Sequence, residues 1–167
     1  GMSMNGGEVL VETLASRGVE TALFVAGGTF ITVMEALSRS NRIRGVPVRL
    51  ESSATFAAEA YASMARRPAA VFVTRAPGAA NATIGIHNAM QSSRPMVLFV
   101  AGIPGPLKGR EAFQEIDYNL MYRPIAKAVF EVHSIDELAS VTARAIDLST
   151  SGRPGPVVVS VGRDVLD

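Results

Sequence analysis

Few residues in this sequence can do chemistry, and their types narrow what that chemistry is. Glu51 ends an apolar strand pattern, Val46–Leu50, and opens an Ala-rich helical one. A carboxylate there meets the positive end of a helix dipole. Capping alone explains that position, and the pattern by itself favours capping over catalysis. Glu59 lies eight residues further on, about two helical turns. That spacing argues against a glycosidase-like carboxylate pair, and Glu59 is read as structural. Arg75 puts a cation where another strand pattern opens into a loop. It is either a solvated surface group or a clamp for a carboxylate or phosphate. Pro77-Gly78-Ala79-Ala80-Asn81 stands at a helix start, where free N–H groups could receive an anion or a polar ring, or simply make a turn. The earlier turn, Val25-Ala26-Gly27-Gly28-Thr29-Phe30, fits neither G-x-G-x-x-G nor G-x-x-x-x-G-K-[ST]. It is a tight turn or a place where backbone approaches a ligand closely.

Other reactive types are scarce. Cys is absent and His occurs only at His87 and His133. That excludes disulfides, a thiolate zinc site, a cysteine nucleophile and a multi-His metal site. His87 falls mid-helix among small residues and is read as packed or hydrogen-bonded rather than catalytic. Met34, Met64, Met90 and Met96 are read as core filler.

The elements that must position these groups alternate between helical and strand patterns. Glu8–Arg17 is helical and Gly18 stops it; Thr21–Ala26 is a buried strand. Phe30–Ser38 is a helix with Thr29 as N-cap. Val46–Leu50 is a strand, and Ser52 or Ser53 caps the helix that Pro68 ends. Ala69–Thr74 is a strand, Gly78–Gln91 a helix and Met96–Ala101 a strand. Gly102–Asn119 is long, Pro/Gly-rich and irregular, a length usually tied to function. Lys127–Val132 is a further strand. Ile135–Leu148 is an amphipathic helix with Ser134 and Glu137 as a capping box, and Val157–Val161 is the last strand. Strands apolar on both faces, separated by helices, predict a three-layer α/β/α fold with a mainly parallel sheet of about six strands. In such sheets ligands sit beyond the strands' carboxyl ends. Four loops lie there: Gly27-Gly28, Glu51–Ser53, Arg75–Asn81 and Gly102–Asn119.

Composition sets the frame. The 167 residues are 48% hydrophobic and 19% charged, with a formal charge of +1. That suits one globular domain over residues 1–167. It gives no electrostatic reason to expect nucleic acid or an anionic membrane as partner. No apolar run approaches about 18 residues. The Gly1-Met2 start is read as a remnant of recombinant expression, and a cytoplasmic setting is the default.

The string from Val48 to Gly102, with its Glu51-Ser52-Ser53, Arg75-Ala76-Pro77-Gly78-Ala79-Ala80-Asn81 and Met96–Gly102 segments, resembles the pyrimidine-binding domain of thiamine-diphosphate-dependent enzymes. Gly109–Asp117, Arg123–Phe130 and Thr150–Val165 point to the acetolactate-synthase-like branch. The likeness runs from about Glu8 to Asp167. It implies a lyase or synthase that decarboxylates or ligates a 2-oxo acid with thiamine diphosphate. Glu51 would exchange a proton with the ring nitrogen N1′ of the cofactor's aminopyrimidine, since a carboxyl group shielded from water suits that task. Gly27, Gly28, Pro77, Asn81 and Gln114 would line the pyrimidine side. Phe113 would border the substrate, and Lys127 matches a family lysine near the substrate channel. Arg153 matches a position that touches flavin in some members, which makes FAD a candidate second cofactor.

Several positions depart from the family pattern. Leu50 stands where His is frequent, Ser52 where Gln is usual, and Ala26 where Pro is common. Arg75-Ala76 replaces Ser-Gly. These changes leave the substrate open, and Arg75 is a candidate for holding a second acidic group on it. The Gly-Asp-Gly motif of the family's diphosphate- and Mg²⁺-binding domain does not occur in the sequence. The resemblance therefore implies half a site, inactive alone. A diphosphate-binding domain in the same or another chain would complete it, in a homodimer or tetramer. The Ala/Gly-rich helices beginning near Ala54 and Ala79 have small faces suited to packing between protomers. The alternative is a stand-alone, non-catalytic binding or assembly module of the same fold. A flavodoxin-like nucleotide binder is a third reading, weakened by the missing phosphate motifs.

Overall fold

The computed structural model describes residues 3–167; the Gly1-Met2 start lies outside the described residues. Six strands form one sheet: β1 (Thr21–Phe24), β2 (Arg44–Pro47), β3 (Ala70–Val73), β4 (Met96–Gly102), β5 (Ala128–Val132) and β6 (Pro156–Gly162). All neighbours pair in parallel, in the order β2-β1-β3-β4-β6-β5. The continuous apolar runs of β3, β4 and β6 are buried along their whole length, as strands covered on both faces must be.

Two hydrophobic layers flank the sheet, and strand alternation divides the side chains between them. On one side α1 (Gly6–Ser16), α2 (Ile31–Arg39) and α6 (Ile135–Thr150) cover Phe72, Val97, Phe99, Val157 and Val159. On the other, α3 (Glu51–Ala65) and α4 (Ala76–Ser92) cover Val71, Val73, Leu98, Val100 and Val158. A short helix, α5 (Tyr118–Tyr122), joins this second layer through buried Tyr118 and Tyr122, and α7 (Arg163–Leu166) ends the chain.

The strand order reverses at β1. From β1 the chain crosses to β2 on one side, then passes back to β3 on the other. The crevice between the carboxyl ends of β1 and β3 is therefore the topological switch point, where ligands of open α/β sheets bind.

Several local expectations need correction. The second strand is Arg44–Pro47, not Val46–Leu50, because an edge strand pairs only where β1 offers partners. Neither Ser52 nor Ser53 caps α3; the helix starts at Glu51, and its N-cap Leu50 has no side-chain donor or acceptor. Thr29 lies inside a 3-10 turn, Gly28–Phe30, ahead of α2. Ser134 is the N-cap residue of α6 but makes no capping bond; the Glu137 carboxylate accepts instead from the His133 backbone N–H. A complete capping box is found at α1, where Asn5 and Glu8 bond each other's backbone N–H groups. Met64 is 86% exposed, so only Met96 of the four methionines is fully core. His87 faces outward from α4.

Candidate functional site

The site is built where small residues let backbones converge. Glu51 is the first residue of α3, at the switch point, and only 9% of its surface is exposed. Its Oε1 accepts a hydrogen bond from Asn81 Nδ2 at 3.2 Å. Oε2 has no hydrogen-bond partner among the described residues. Gly78 brings the first turn of α4 against this carboxyl: a Cβ there would lie 3.6 Å from Glu51 Cδ and 2.5 Å from Thr74 Oγ1. Gly27 closes in from β1, where a Cβ would fall 2.3 Å from Thr74 Cγ2. Thr74, at the end of β3, thus separates the Gly27 backbone from the start of α4. Only glycine fits on either side of it.

One turn deeper, α3 and α4 touch. A Cβ on Gly85 would lie 2.0 Å from Thr55 Oγ1. That hydroxyl is within 3.2 Å of the Ala82 carbonyl oxygen and 3.3 Å of that of Glu51. Glu59 links the same helices through Asn88 and Ser92, the structural role expected of it. The small faces from Ala54 and Ala79 are therefore buried against each other and the sheet within this chain. What α3 and α4 expose instead is Phe56, Met64 and Ile84. The first turn of α4 is also held from the α5 side, where the Tyr122 hydroxyl donates to the Ala79 carbonyl. Burial pushes the Tyr122 phenol well above its ordinary range, and Tyr118 beside it pushes the same way.

The segment after β4 forms a separate wall. It carries a 3-10 turn, Gly105–Leu107, and a turn in which the Glu115 carboxylate accepts from the N–H groups of Gly109 and Ala112. Those two bonds hold the Glu115 carboxyl below its ordinary value of 4.5. Glu111 and Gln114 both have positive φ, and Phe113 is 76% exposed. Gln114 lines a cavity of about 830 Å³ between this segment and β5–β6, with Ile103, Tyr118, Phe130 and Ser160. Glu51 does not line that cavity. Arg75, the N-cap residue of α4, connects the two regions: its Nη1 donates to the Phe113 carbonyl at 2.9 Å.

The structure gathers Gly27, Glu51, Gly78 and Asn81 directly, with Pro77 exposed beside them in the first turn of α4. Gly28 follows at the same crevice, and Arg75 carries the link to Phe113 and Gln114. Lys127 and Arg153 are not brought there. Both precede their strands, β5 and β6, and so sit at the sheet's amino end. Lys127 Nζ donates to the carbonyls of Leu148 and Ser151. Arg153 donates to Ser93 Oγ and to the carbonyls of Met90 and Gln91 at the end of α4. Two residues at the carboxyl end escaped the sequence reading. Thr74 is one. Arg163 is the other, its Nη1 3.7 Å from where a Gly28 Cβ would stand. The carboxyl end of β6 obeys the same ligand rule as the other strands, and applying it to Gly162-Arg163 would have found this cation.

The arrangement presents a nearly buried carboxyl group with one oxygen tethered and one unpaired, beside backbone stripped of side chains at Gly27 and Gly78. A carboxyl group held in this way can accept a further hydrogen bond or exchange a proton through its unpaired oxygen. Among the described residues, no group of three His, Cys, Asp or Glu could hold a metal ion, and no helix is long and apolar enough to cross a membrane.

Comparison with known proteins identifies the family. The family model described as thiamine pyrophosphate enzyme, N-terminal TPP binding domain, matches residues 4–121. Acetolactate synthase 3, chloroplastic, of Brassica napus is 39% identical over 160 residues, covering 96% of this chain and 24% of the relative. The acetolactate synthase large subunits of Buchnera aphidicola (subsp. Acyrthosiphon pisum) and Haemophilus influenzae are 35% and 34% identical, over 98% of this chain and 28% and 29% of their own lengths. The chain spans about a quarter of the length of these relatives.

Proposed function

The chain belongs to the thiamine pyrophosphate enzyme family as its N-terminal TPP-binding domain, and from that membership we propose that it forms the aminopyrimidine side of a thiamine-diphosphate site in an enzyme that decarboxylates or ligates 2-oxo acids. The single observation that carries the reading is the Glu51 carboxyl, nearly buried, with Asn81 on Oε1 and no protein donor on Oε2. When bound, the cofactor supplies the electron sink for the reaction. The residues of this chain orient and move a proton. Asn81 fixes the plane of the Glu51 carboxyl. Oε2 is then free to exchange a proton with the aminopyrimidine N1′. Gly27 and Gly78 let their turns close on Thr74 from either side, which sets how near both stand to the Glu51 carboxyl.

A diphosphate-binding domain, in this polypeptide or another, would hold the diphosphate and Mg²⁺. The exposed apolar side chains Phe56, Met64 and Ile84 on α3 and α4 support a protein neighbour there, as in a homodimer or tetramer. On the substrate side the reading places Phe113 and Arg75, with Arg163 as the cation nearest the glycine turn. FAD is a candidate second cofactor on the strength of Arg153 alone, which stands at the far end of the sheet and bonds to the end of α4. The setting proposed is cytoplasmic.

The test uses the complete polypeptide. Glu51→Gln keeps the shape and removes the exchangeable acid, so turnover of a 2-oxo acid with thiamine diphosphate and Mg²⁺ should fall by about 10²–10⁴-fold. Unchanged turnover would hand the chain to the competing reading, a non-catalytic assembly module.

A further inference from the structure

Arg75 stands where a cation has little reason to be. It is the N-cap residue of α4, at the positive end of that helix, where a positive charge is disfavoured. Among the described residues it forms no ion pair. Its one hydrogen bond crosses 38 residues of sequence to the Phe113 carbonyl. That bond is the only side-chain hydrogen bond, among the described residues, between the 103–117 segment and the α3–α4 layer. The segment's other polar ties run elsewhere. Gly105 N–H donates to Asp164, Lys108 pairs with Glu131 of β5, and Glu115 binds the segment's own backbone. The Phe113–Gln114 turn also contains a non-glycine residue in the left-handed region, Gln114 at φ 61°, a conformation that needs outside support. The Arg75 charge lies close enough to the Tyr118 phenol to pull against the burial that pushes it up to about 12, which places the guanidinium beside the start of α5 as well.

We infer that Arg75 is a positioning residue: it latches the Phe113–Gln114 turn to the first turn of α4 and so fixes how far that turn stands from the Glu51 carboxyl. This rests on reading Phe113 and Glu51 as two walls of one site. The serine common at this position in the family is too short to span that gap. A guanidinium reaches it and keeps further donors free. The chain has thus made the substrate-side wall depend on one long side chain that departs from the family pattern.

The experiment compares Arg75→Ala and Arg75→Lys in the complete polypeptide, with two separate readouts. The first is trypsin cleavage after Arg110 under native conditions, followed by mass spectrometry, which reports local opening of the segment. Losing a charged hydrogen bond should raise the cleavage rate about tenfold in Arg75→Ala, with the thermal midpoint unchanged. Arg75→Lys, which keeps one donor, should recover part of the protection. The second readout is steady-state kinetics with a 2-oxo acid, where KM should rise more than kcat falls. Unchanged cleavage in Arg75→Ala overturns the latch. Faster cleavage with unchanged KM upholds the latch and overturns the assignment of Phe113 to the substrate side, so the two failures are distinguishable.

Discussion

The two layers that cover the sheet are made of different material. The layer of α1, α2 and α6 packs large side chains: Leu10, Leu14, Phe30, Val33, Leu37, Leu138 and Ile146 are all buried there. Phe72 stands at its centre, stacked on Phe99 at 4.8 Å and edge-on to Phe30 at 5.2 Å. The layer of α3 and α4 is built mostly of Ala and Gly, so its helices approach until Gly85 touches Thr55. Large side chains remove much apolar surface from water and stabilise the fold. Small ones contribute less of that, but they let backbone groups and polar atoms approach closely. The difference teaches that stability and site precision are assigned to opposite faces of one sheet.

Perturbing each layer in turn can break or sharpen this division. The largest effect is the loss of turnover in Glu51→Gln, which the division requires to come with stability unchanged to within about 0.5 kcal/mol. A matching fall in the urea midpoint would mean that Glu51 holds the fold as well. Phe72→Ala, in the large-residue layer, should cost about 3–5 kcal/mol in urea unfolding. A smaller loss would show that the phenyl stack is not the anchor of that layer. Gly85→Ala should cost about 1–3 kcal/mol by overpacking against Thr55. It should also lower activity in the complete polypeptide, because it pushes apart the helices that carry Glu51 and Asn81. Activity intact at reduced stability would separate the helix spacing from the site.

The smallest effect concerns the loop wall. The Glu115 carboxyl is depressed in the fold by the N–H groups of Gly109 and Ala112. Its contribution is therefore full above the ordinary value of 4.5 and is lost as pH falls through the lower folded value. Hydrogen exchange of residues 109–115, corrected for intrinsic rates, should show protection dropping in that acid window while the sheet stays protected. Protection insensitive to acid would assign the turn to other contacts.

Much of the fold was legible because buried parallel strands write themselves as continuous apolar runs. Ala69–Thr74, Met96–Ala101 and Val157–Val161 each mark a strand within a residue or two. The carboxyl-end rule then located Gly27, Glu51 and Arg75–Asn81 without any contact known. Other features depend on partners distant in sequence. Nothing local says that Gly85 must be glycine; Thr55, thirty residues earlier, decides it. Nothing local tells that Lys127 turns toward the end of α6, or that Arg75 reaches Phe113. The edge strand is poorly marked in sequence because β2 is short and largely exposed, and its apolar pattern continues past the pairing. The α6 cap departs from the Ser134–Glu137 box because Glu137 accepts from a backbone N–H one residue away.

The sheet order has one more consequence. β5 pairs with β6 alone, and β6 comes after it in the chain. As the polypeptide leaves the ribosome, β5 emerges with no edge to join, since β4 is reserved for a strand not yet made. The half of the sheet holding the glycine turn and Glu51 can zip up early, whereas the wall resting on β5 must wait for β6. The acidic side of the crevice thus rests on strands made early, and the loop wall on the strand made last.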